Sequence, residues 1–288
     1  MPSSTDELVA IDVHVHPRSQ PFLDAMGERA QQMGSYFGSA PEAVSFDELA
    51  DLYRARHMRA VLMNTTDEVS SGMRPVPNDE IARAVTKHPD VFTGFGVVDP
   101  AMGKLAVEEV RRCSEELGLR GIGELNPGRQ GFYPNDPAFA GLYEEMSRQK
   151  MIALFHTGMM GSGAGTPGGM GYKLKYTRPI PYLDDVAAEY PELTIIGAHP
   201  SWPWQEESLA IAVHKSNFYI DLSGWSPKYF SESLVRYANG PLRKKMLFGS
   251  DWPLITPDRW LSDFDRLPLK EGVRDDILLH NARRLLDL

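Results

Sequence analysis

Residues 9–17 read Val9-Ala10-Ile11-Asp12-Val13-His14-Val15-His16-Pro17. The stretch begins apolar and β-branched, which suits a buried strand. It then sets two imidazoles two residues apart, and side chains so spaced on a strand share a face. His14 and His16 can therefore reach one metal ion. Pro17 cannot donate to a sheet ladder and closes the strand. Two readings stand at this point: a metal pincer at the C-terminal end of a first strand, or two polar residues at a strand end. A short motif alone does not choose between them.

Seven more short apolar segments follow, each running into Gly, Asn, Asp, Ser or His: 59–65, 91–98, 120–125, 151–157, 193–199, 218–223 and 245–251. Helical patterns separate them. Residues 46–57 carry Phe46, Leu49, Ala50, Leu52 and Tyr53 at helical spacing, and 104–117 repeat it with Leu105, Val107, Val110, Cys113 and Leu117. Further helical stretches are expected near 79–88, 137–150, 181–190, 205–215, 231–238 and 273–286. Strands alternating with helices call for a parallel sheet covered by helices. Eight such units in 288 residues match a single (β/α)8 barrel domain spanning 1–288. A doubly wound open sheet is the runner-up, but no Gly-x-Gly-x-x-Gly opens a helix after the first strand.

The formal net charge is −9, which argues against nucleic acid or an anionic membrane as partner. Cys113 is the one cysteine, so no disulfide can form within the chain, as in a reducing compartment. The first residues lack the basic and apolar regions of a signal peptide, and no apolar run is long enough to span a bilayer. A cytoplasmic protein is expected.

In a barrel the working residues lie at the C-terminal strand ends and in the loops after them. Those positions hold His14 and His16, then Asn64 and Thr65, Asp99, Glu124, His156, His199, Ser223 and Asp251. Four of the eight histidines fall there, and the other four fall on helices. Barrel closure would bring His14, His16, His156 and Asp251 together. Neutral imidazoles with one carboxylate suit a divalent transition ion, Zn2+ first, with a position left for water. Two connections are long for plain turns: 17–45, rich in methionine, and 157–180, rich in glycine. The second follows a histidine, which makes it a candidate lid.

The motifs Ile11-Asp12-Val13-His14-Val15-His16, the strand-end His156, Gly197-Ala198-His199-Pro200 and Phe248-Gly249-Ser250-Asp251-Trp252-Pro253 resemble the amidohydrolase superfamily. They are most similar to its amidohydrolase-related branch, which includes aminocarboxymuconate-semialdehyde decarboxylase. The resemblance implies a mononuclear metal site held by His14, His16, His156 and Asp251, with His199 beside it as acid or base. It also suggests a homodimer, for which 17–45 is a candidate surface. Many superfamily members place a metal-bridging lysine at the fourth strand. Glu124 stands nearest that place here, so a lysine-bridged pair of ions is not expected, and Glu124 becomes a candidate substrate contact.

Trp202 and Trp225 follow strand ends and are candidates to line an aromatic mouth. Lys173, Lys175 and Arg178 form a local basic run that could hold a carboxylate or phosphate. The loops 156–179 and 199–204 resemble a subgroup that hydrolyses 4-hydroxyphenyl-β-ketoacyl-coenzyme A. The leading expectation is therefore a metal-dependent hydrolase of an aromatic catabolite, cleaving an aryl β-ketoacyl thioester by metal-activated water. The alternatives are a non-oxidative decarboxylase of an aromatic or muconate-like acid and, from another class, a non-catalytic ligand-binding barrel.

Overall fold

The computed structural model of the chain describes residues 8–38, 42–73 and 76–288. Each expected apolar segment forms a parallel strand: β1 Ala10–Val15, β2 Met58–Leu62, β3 Phe92–Gly96, β4 Gly121–Leu125, β5 Ile152–His156, β6 Thr194–Ala198, β7 Phe218–Asp221 and β8 Met246–Leu247. They pair in chain order from β1 to β8. The ring is completed beyond β8. Val13 N donates to Phe248 O, Asp251 N to His14 O and His16 N to Trp252 O, at 2.9, 3.0 and 2.9 Å. The architecture is a (β/α)8 barrel, as the alternation predicts.

Two apolar layers hold it. Ile11, Val13, Val61, Phe95, Leu154, Ile196 and Leu247 fill the barrel. A larger layer, including Val15, Leu49, Tyr53, Phe92, Phe155 and Trp260, packs the strands against the helices. Val13 packs inside and Val15 outside, although two residues apart on one strand. The alternation breaks because the β1–β2 register shifts between Asp12 and Val15, and such irregularities re-aim side chains. His14 lies on this break, at the top of the barrel.

The expected helices form with small changes of bounds. Ser45 and Glu48 make a reciprocal capping box that starts Phe46–Arg54. The last expected helix contains a π turn over Asp276–His280, where Ile277 O accepts from Phe248 N at 3.0 Å. Two departures concern function. Most of segment 17–45 is helical, Gln20–Met26 then Glu28–Phe37, and residues 39–41 lie outside the described set. Helix Pro257–Phe264, capped by Thr256 with Pro257 at its start, was not among the expected elements.

Candidate metal and active site

His14 and His16 meet above β1, with Nε2 atoms 3.0 Å apart. Asp251 Oδ1 lies 3.8 Å from His14 Nε2 and 3.5 Å from His16 Nε2. Asp251 and His199 both sit just past their strands in the left-handed region, at φ 64° and 69°. Such conformations cost free energy and persist only where the surroundings enforce them. The next residue after Ser223 must be small. A Cβ on Gly224 would stand 2.5 Å from His199 Nδ1 and 3.2 Å from Asp251 Oδ2.

A second group adjoins the first. His156 Nδ1 lies 2.6 Å from Glu124 Oε1, and His199 Nε2 lies 3.1 Å from His156 Nδ1 and 3.5 Å from Glu124 Oε1. Glu124 also lies close enough to His14 and His16 to share an ion with them. The structure thus gathers His14, His16 and Asp251 at one point and His156, His199 and Glu124 beside it.

Behind these groups stands a residue absent from the strand-end inventory. Asp221, fully buried, accepts from His14 Nδ1 at 2.7 Å, from Ser223 Oγ at 2.8 Å and from Ser223 N at 2.9 Å. Ser223 gives its hydroxyl proton to Asp221, so Ser223 Oγ accepts from His199 Nδ1 at 2.9 Å. One carboxylate therefore sets the tautomer of His14 directly and that of His199 through a hydroxyl. His16 Nδ1 faces Met63 O at 3.1 Å, which leaves Nε2 of both paired imidazoles turned to the same point. Asp12 works from below: it accepts from Tyr53, from Ser250 N and from Ser250 Oγ, tying the Asp251 turn to β1.

The protonation states follow from this packing. Burial alone would lower His14, but the Asp221 carboxylate outweighs it and pushes His14 up to about 10. Burial, then the charge on His14, pushes His16 down to about 3. Burial pushes Asp251 up to about 6. Burial works to raise Glu124, but His156 beside it overrides that and holds the carboxyl well below its usual range. Burial lowers His156. Burial would also lower His199, yet its hydrogen bond to Glu124 raises it.

These residues fit a divalent ion. Two imidazole nitrogens bound to one ion at about 2.1 Å lie about 3.0 to 3.4 Å apart, the spacing His14 and His16 show. His156 Nε2 is buried with no hydrogen-bond partner, a state that a native polar atom seldom keeps. Both paired imidazoles have their outer nitrogens fixed by acceptors, the usual support for metal-ligating histidine.

A cavity opens on the cluster, with about 770 Å3 of space counted out into the open solvent at its mouth. His16, Glu124, His156, His199 and Asp251 form one wall. Phe22, Leu23, Met26, Ala30 and Met33 form an apolar roof, and Arg18, Thr65, Asn126 and Arg129 add polar groups. The methionine-rich segment after β1, read from sequence as a dimer surface, covers this cavity. Met160, Gly161 and Ser162, early in the glycine-rich loop, also border it.

The other expected substrate contacts lie elsewhere. Trp202 is 53% exposed and pairs with the half-buried Trp225 at 5.9 Å between centroids, and neither borders the cavity. Lys173, Lys175 and Arg178 are exposed and outside it. Lys175 lies over the Tyr133 and Tyr176 rings, and Arg178 pairs with Glu207 at 2.6 Å. Tyr133 and Glu207, distant in sequence, thus meet Lys175 and Arg178.

The chain belongs to the amidohydrolase family, whose pattern it matches over residues 11–288. It is 32% identical over 79 residues to 2-amino-3-carboxymuconate-6-semialdehyde decarboxylase of Dictyostelium discoideum, a match covering 27% of this chain and 22% of that one. An uncharacterised TIM-barrel protein of Bordetella bronchiseptica superposes with a TM-score of 0.74 at 23% identity, covering 96% of this chain and 98% of its own. The 5-carboxyvanillate decarboxylase of Novosphingobium aromaticivorans, complexed with manganese and 4-hydroxy-3-methoxy-5-nitrobenzoic acid, gives 0.68 at 16% identity over 99% and 98%. The chain is an enzyme of the amidohydrolase superfamily.

Proposed function

We propose that the chain is a metal-dependent, non-oxidative decarboxylase of a small aromatic or muconate-like acid. The observation that carries this reading is the cavity itself, which is lined by imidazoles and carboxylates, by the guanidinium groups of Arg18 and Arg129, and by apolar side chains of the segment after β1. The similar proteins named as decarboxylases support carbon dioxide loss over thioester hydrolysis. The basic run of Lys173, Lys175 and Arg178, a candidate to hold a carboxylate or phosphate, does not border the cavity.

His14, His16, His156 and Asp251 would hold the ion, with Glu124 available beside them. Manganese joins zinc as an ion to test, since the Novosphingobium enzyme carries it. When bound, such an ion polarises a substrate oxygen and stabilises negative charge developing there. The chain's own residues supply the rest. Ser223 accepts from His199 Nδ1, so Nε2 is the atom from which His199 delivers a proton. Glu124 lies 3.5 Å from that nitrogen and favours its charged form. The proton goes to the ring carbon that bears the carboxylate. The carbon–carbon bond then breaks, its electron pair returns to the ring and carbon dioxide leaves. His199 recovers its proton from water. The roof excludes solvent and holds the ring flat against the wall.

The test is a turnover screen with quantified metal, across hydroxybenzoates, hydroxyisophthalates and aryl β-ketoacyl thioesters, reading carbon dioxide and free thiol products separately. Carbon dioxide from a ring acid is the expected result. Thioester cleavage with no carbon dioxide from any acid overturns the reading.

A further inference from the structure

Three buried hydroxyls lie behind the His199 turn, and the chemistry described above uses none of them. Thr157 follows His156 at the end of β5, Ser201 lies two residues after His199, and Ser208 sits on the helix Gln205–His214. All three are at most 1% exposed, and none borders the cavity. Thr157 Oγ1 donates to Ala198 O at 2.6 Å, Ser201 Oγ lies 2.5 Å from Thr157 Oγ1, and Ser208 Oγ lies 2.6 Å from Ser201 Oγ. A carbonyl can only accept, and each hydroxyl has one proton. Thr157 gives its proton to Ala198 O, so it accepts from Ser201, and Ser201 in turn accepts from Ser208. The chain therefore runs in one direction and ends on the peptide oxygen next to His199.

The turn it grips is strained. His199 and Ser201 have φ of 69° and 62°, with Pro200 between them. Residues other than glycine keep such conformations only where their surroundings enforce them. The loop after β5 presses on the same turn. Gly158, at φ +80°, comes so close that a Cβ there would lie 2.6 Å from Ser201 C and 2.7 Å from Trp202 O. Met159 N donates to Trp202 O at 2.8 Å. Those backbone contacts reach residues 201 and 202. The hydroxyl chain holds Ser201 and Ala198 O, the two flanks of the His199-Pro200 step. It thereby ties that step to the segment carrying His156, whose Nδ1 stands 3.1 Å from His199 Nε2.

We propose that this hydroxyl chain positions the acid: Ser201, braced between Thr157 and Ser208, holds the strained turn so that His199 Nε2 is aimed into the cavity. Ser201 and Thr157 are positioning residues and touch no substrate. The inference rests on the proton-delivering role given to His199 above. Without the Ser201 hydroxyl, the Ser208 proton is buried with no acceptor, and residue 201 is released from Thr157. The turn then relaxes toward a less strained backbone, and the imidazole moves with it. A misplacement of about 1 Å costs about 100-fold in rate. Ser223 holds only the far nitrogen of the ring, at 2.9 Å, and does not fix the backbone that carries it.

The test uses the full chain, loaded with manganese for kinetics on the ring acid that the turnover screen identifies, and with zinc for NMR of 15N-labelled histidine. Ser201→Ala removes the middle hydroxyl. Thr157→Val keeps the side-chain shape and removes the hydroxyl that meets Ala198, and Thr157→Ser keeps that hydroxyl. The first two should lower kcat at least about 30-fold, with KM and metal affinity within about threefold. Thr157→Ser should keep kcat within about threefold. The His199 Nδ1 proton, assigned by its loss in His199→Gln, should exchange slowly in the unaltered protein and in Thr157→Ser, and rapidly in Ser201→Ala. A kcat within threefold in Ser201→Ala, or a fall in kcat that leaves this proton protected, overturns the proposal. So does loss of metal in step with kcat, or failure of both Ser201→Ala and Thr157→Val to fold, since either marks a merely structural chain. If only one of them fails to fold, the other decides on the same readings. Failure to release carbon dioxide from any acid counts against the decarboxylase reading instead, and the His199 proton still reads the positioning.

Discussion

Asp221→Asn separates the metal site from the rest of the fold. The carboxylate accepts three hydrogen bonds, from His14 Nδ1 at 2.7 Å, Ser223 Oγ at 2.8 Å and Ser223 N at 2.9 Å. Asparagine keeps one acceptor oxygen and puts an NH2 group where the other stood. In one rotamer the amide nitrogen faces His14 and the Ser223 hydroxyl. In the other it faces Ser223 N. Either way at least one buried donor loses its acceptor, and His14 loses the charge that raised it to about 10. Removing an acceptor behind a metal-ligating imidazole weakens metal binding about 10- to 100-fold, or about 1.4 to 2.8 kcal/mol. The assay is competition for manganese or zinc against a chelator of known affinity, with a thermal melt of the metal-free protein alongside. Ser223→Ala is the companion, since it breaks only the branch to His199 and should leave metal affinity within about threefold while turnover falls. Affinities are compared after correction for the protons each protein releases, because the variant's His14 no longer holds its proton as tightly; a corrected affinity within threefold of the unaltered protein would show that His14 does not bind the ion through Nε2.

Further outcomes follow from the same geometry. His14→Ala and Asp251→Asn should each lower bound metal well below one equivalent at micromolar concentration while leaving the barrel's circular dichroism intact. Full metal occupancy in either would remove that residue from the site. Metal binding should release protons. His14 is raised to about 10, and an ion at Nε2 displaces its second proton, so this group makes apparent affinity rise about tenfold per pH unit below about pH 10. Asp251, raised to about 6, adds a second proton only toward acid pH. Calorimetry at pH 7.5 in buffers of differing ionisation enthalpy should find about one proton released, and finding none contradicts the assignment. Gly224→Ala puts a methyl 2.5 Å from His199 Nδ1 at a φ of +70°. Turnover should fall more than tenfold with metal retained, whereas unchanged turnover would show that the placement of His199 is not critical.

The barrel was legible because its signal is local. Each strand is a short apolar run that gives way to Gly, Asn, Asp, Ser or His, and eight such runs separated by helical patterns leave little choice of architecture. The imidazoles were legible for the same reason, since His14, His16, His156 and His199 stand at those ends. What escaped notice depends on contacts between distant segments. Asp221 looked like one more strand residue, and only barrel closure brings β1 within 2.7 Å of it. Arg129 lies in Asn126-Pro127-Gly128-Arg129, which reads as an exposed turn. It is buried because Thr65 and Asp67 reach it from the loop after β2. Lys175 and Arg178 looked available because Tyr133 and Glu207 are not identifiable as their partners from spacing. The roof helices were misread as a loop although Ser19 caps the first of them and Pro21 lies in its first turn. Their polar, glycine-interrupted pattern hid a face that is apolar only toward the cavity.

The sharpest single measurement is an isotopic one. The manganese-loaded enzyme is given a hydroxylated ring acid with a 13C-labelled carboxyl group in heavy water, and gas and ring product are read by mass. The account predicts one labelled carbon dioxide per turnover and one deuteron on the ring carbon it left. Consumption of the acid with the label retained in a non-gaseous product would contradict it.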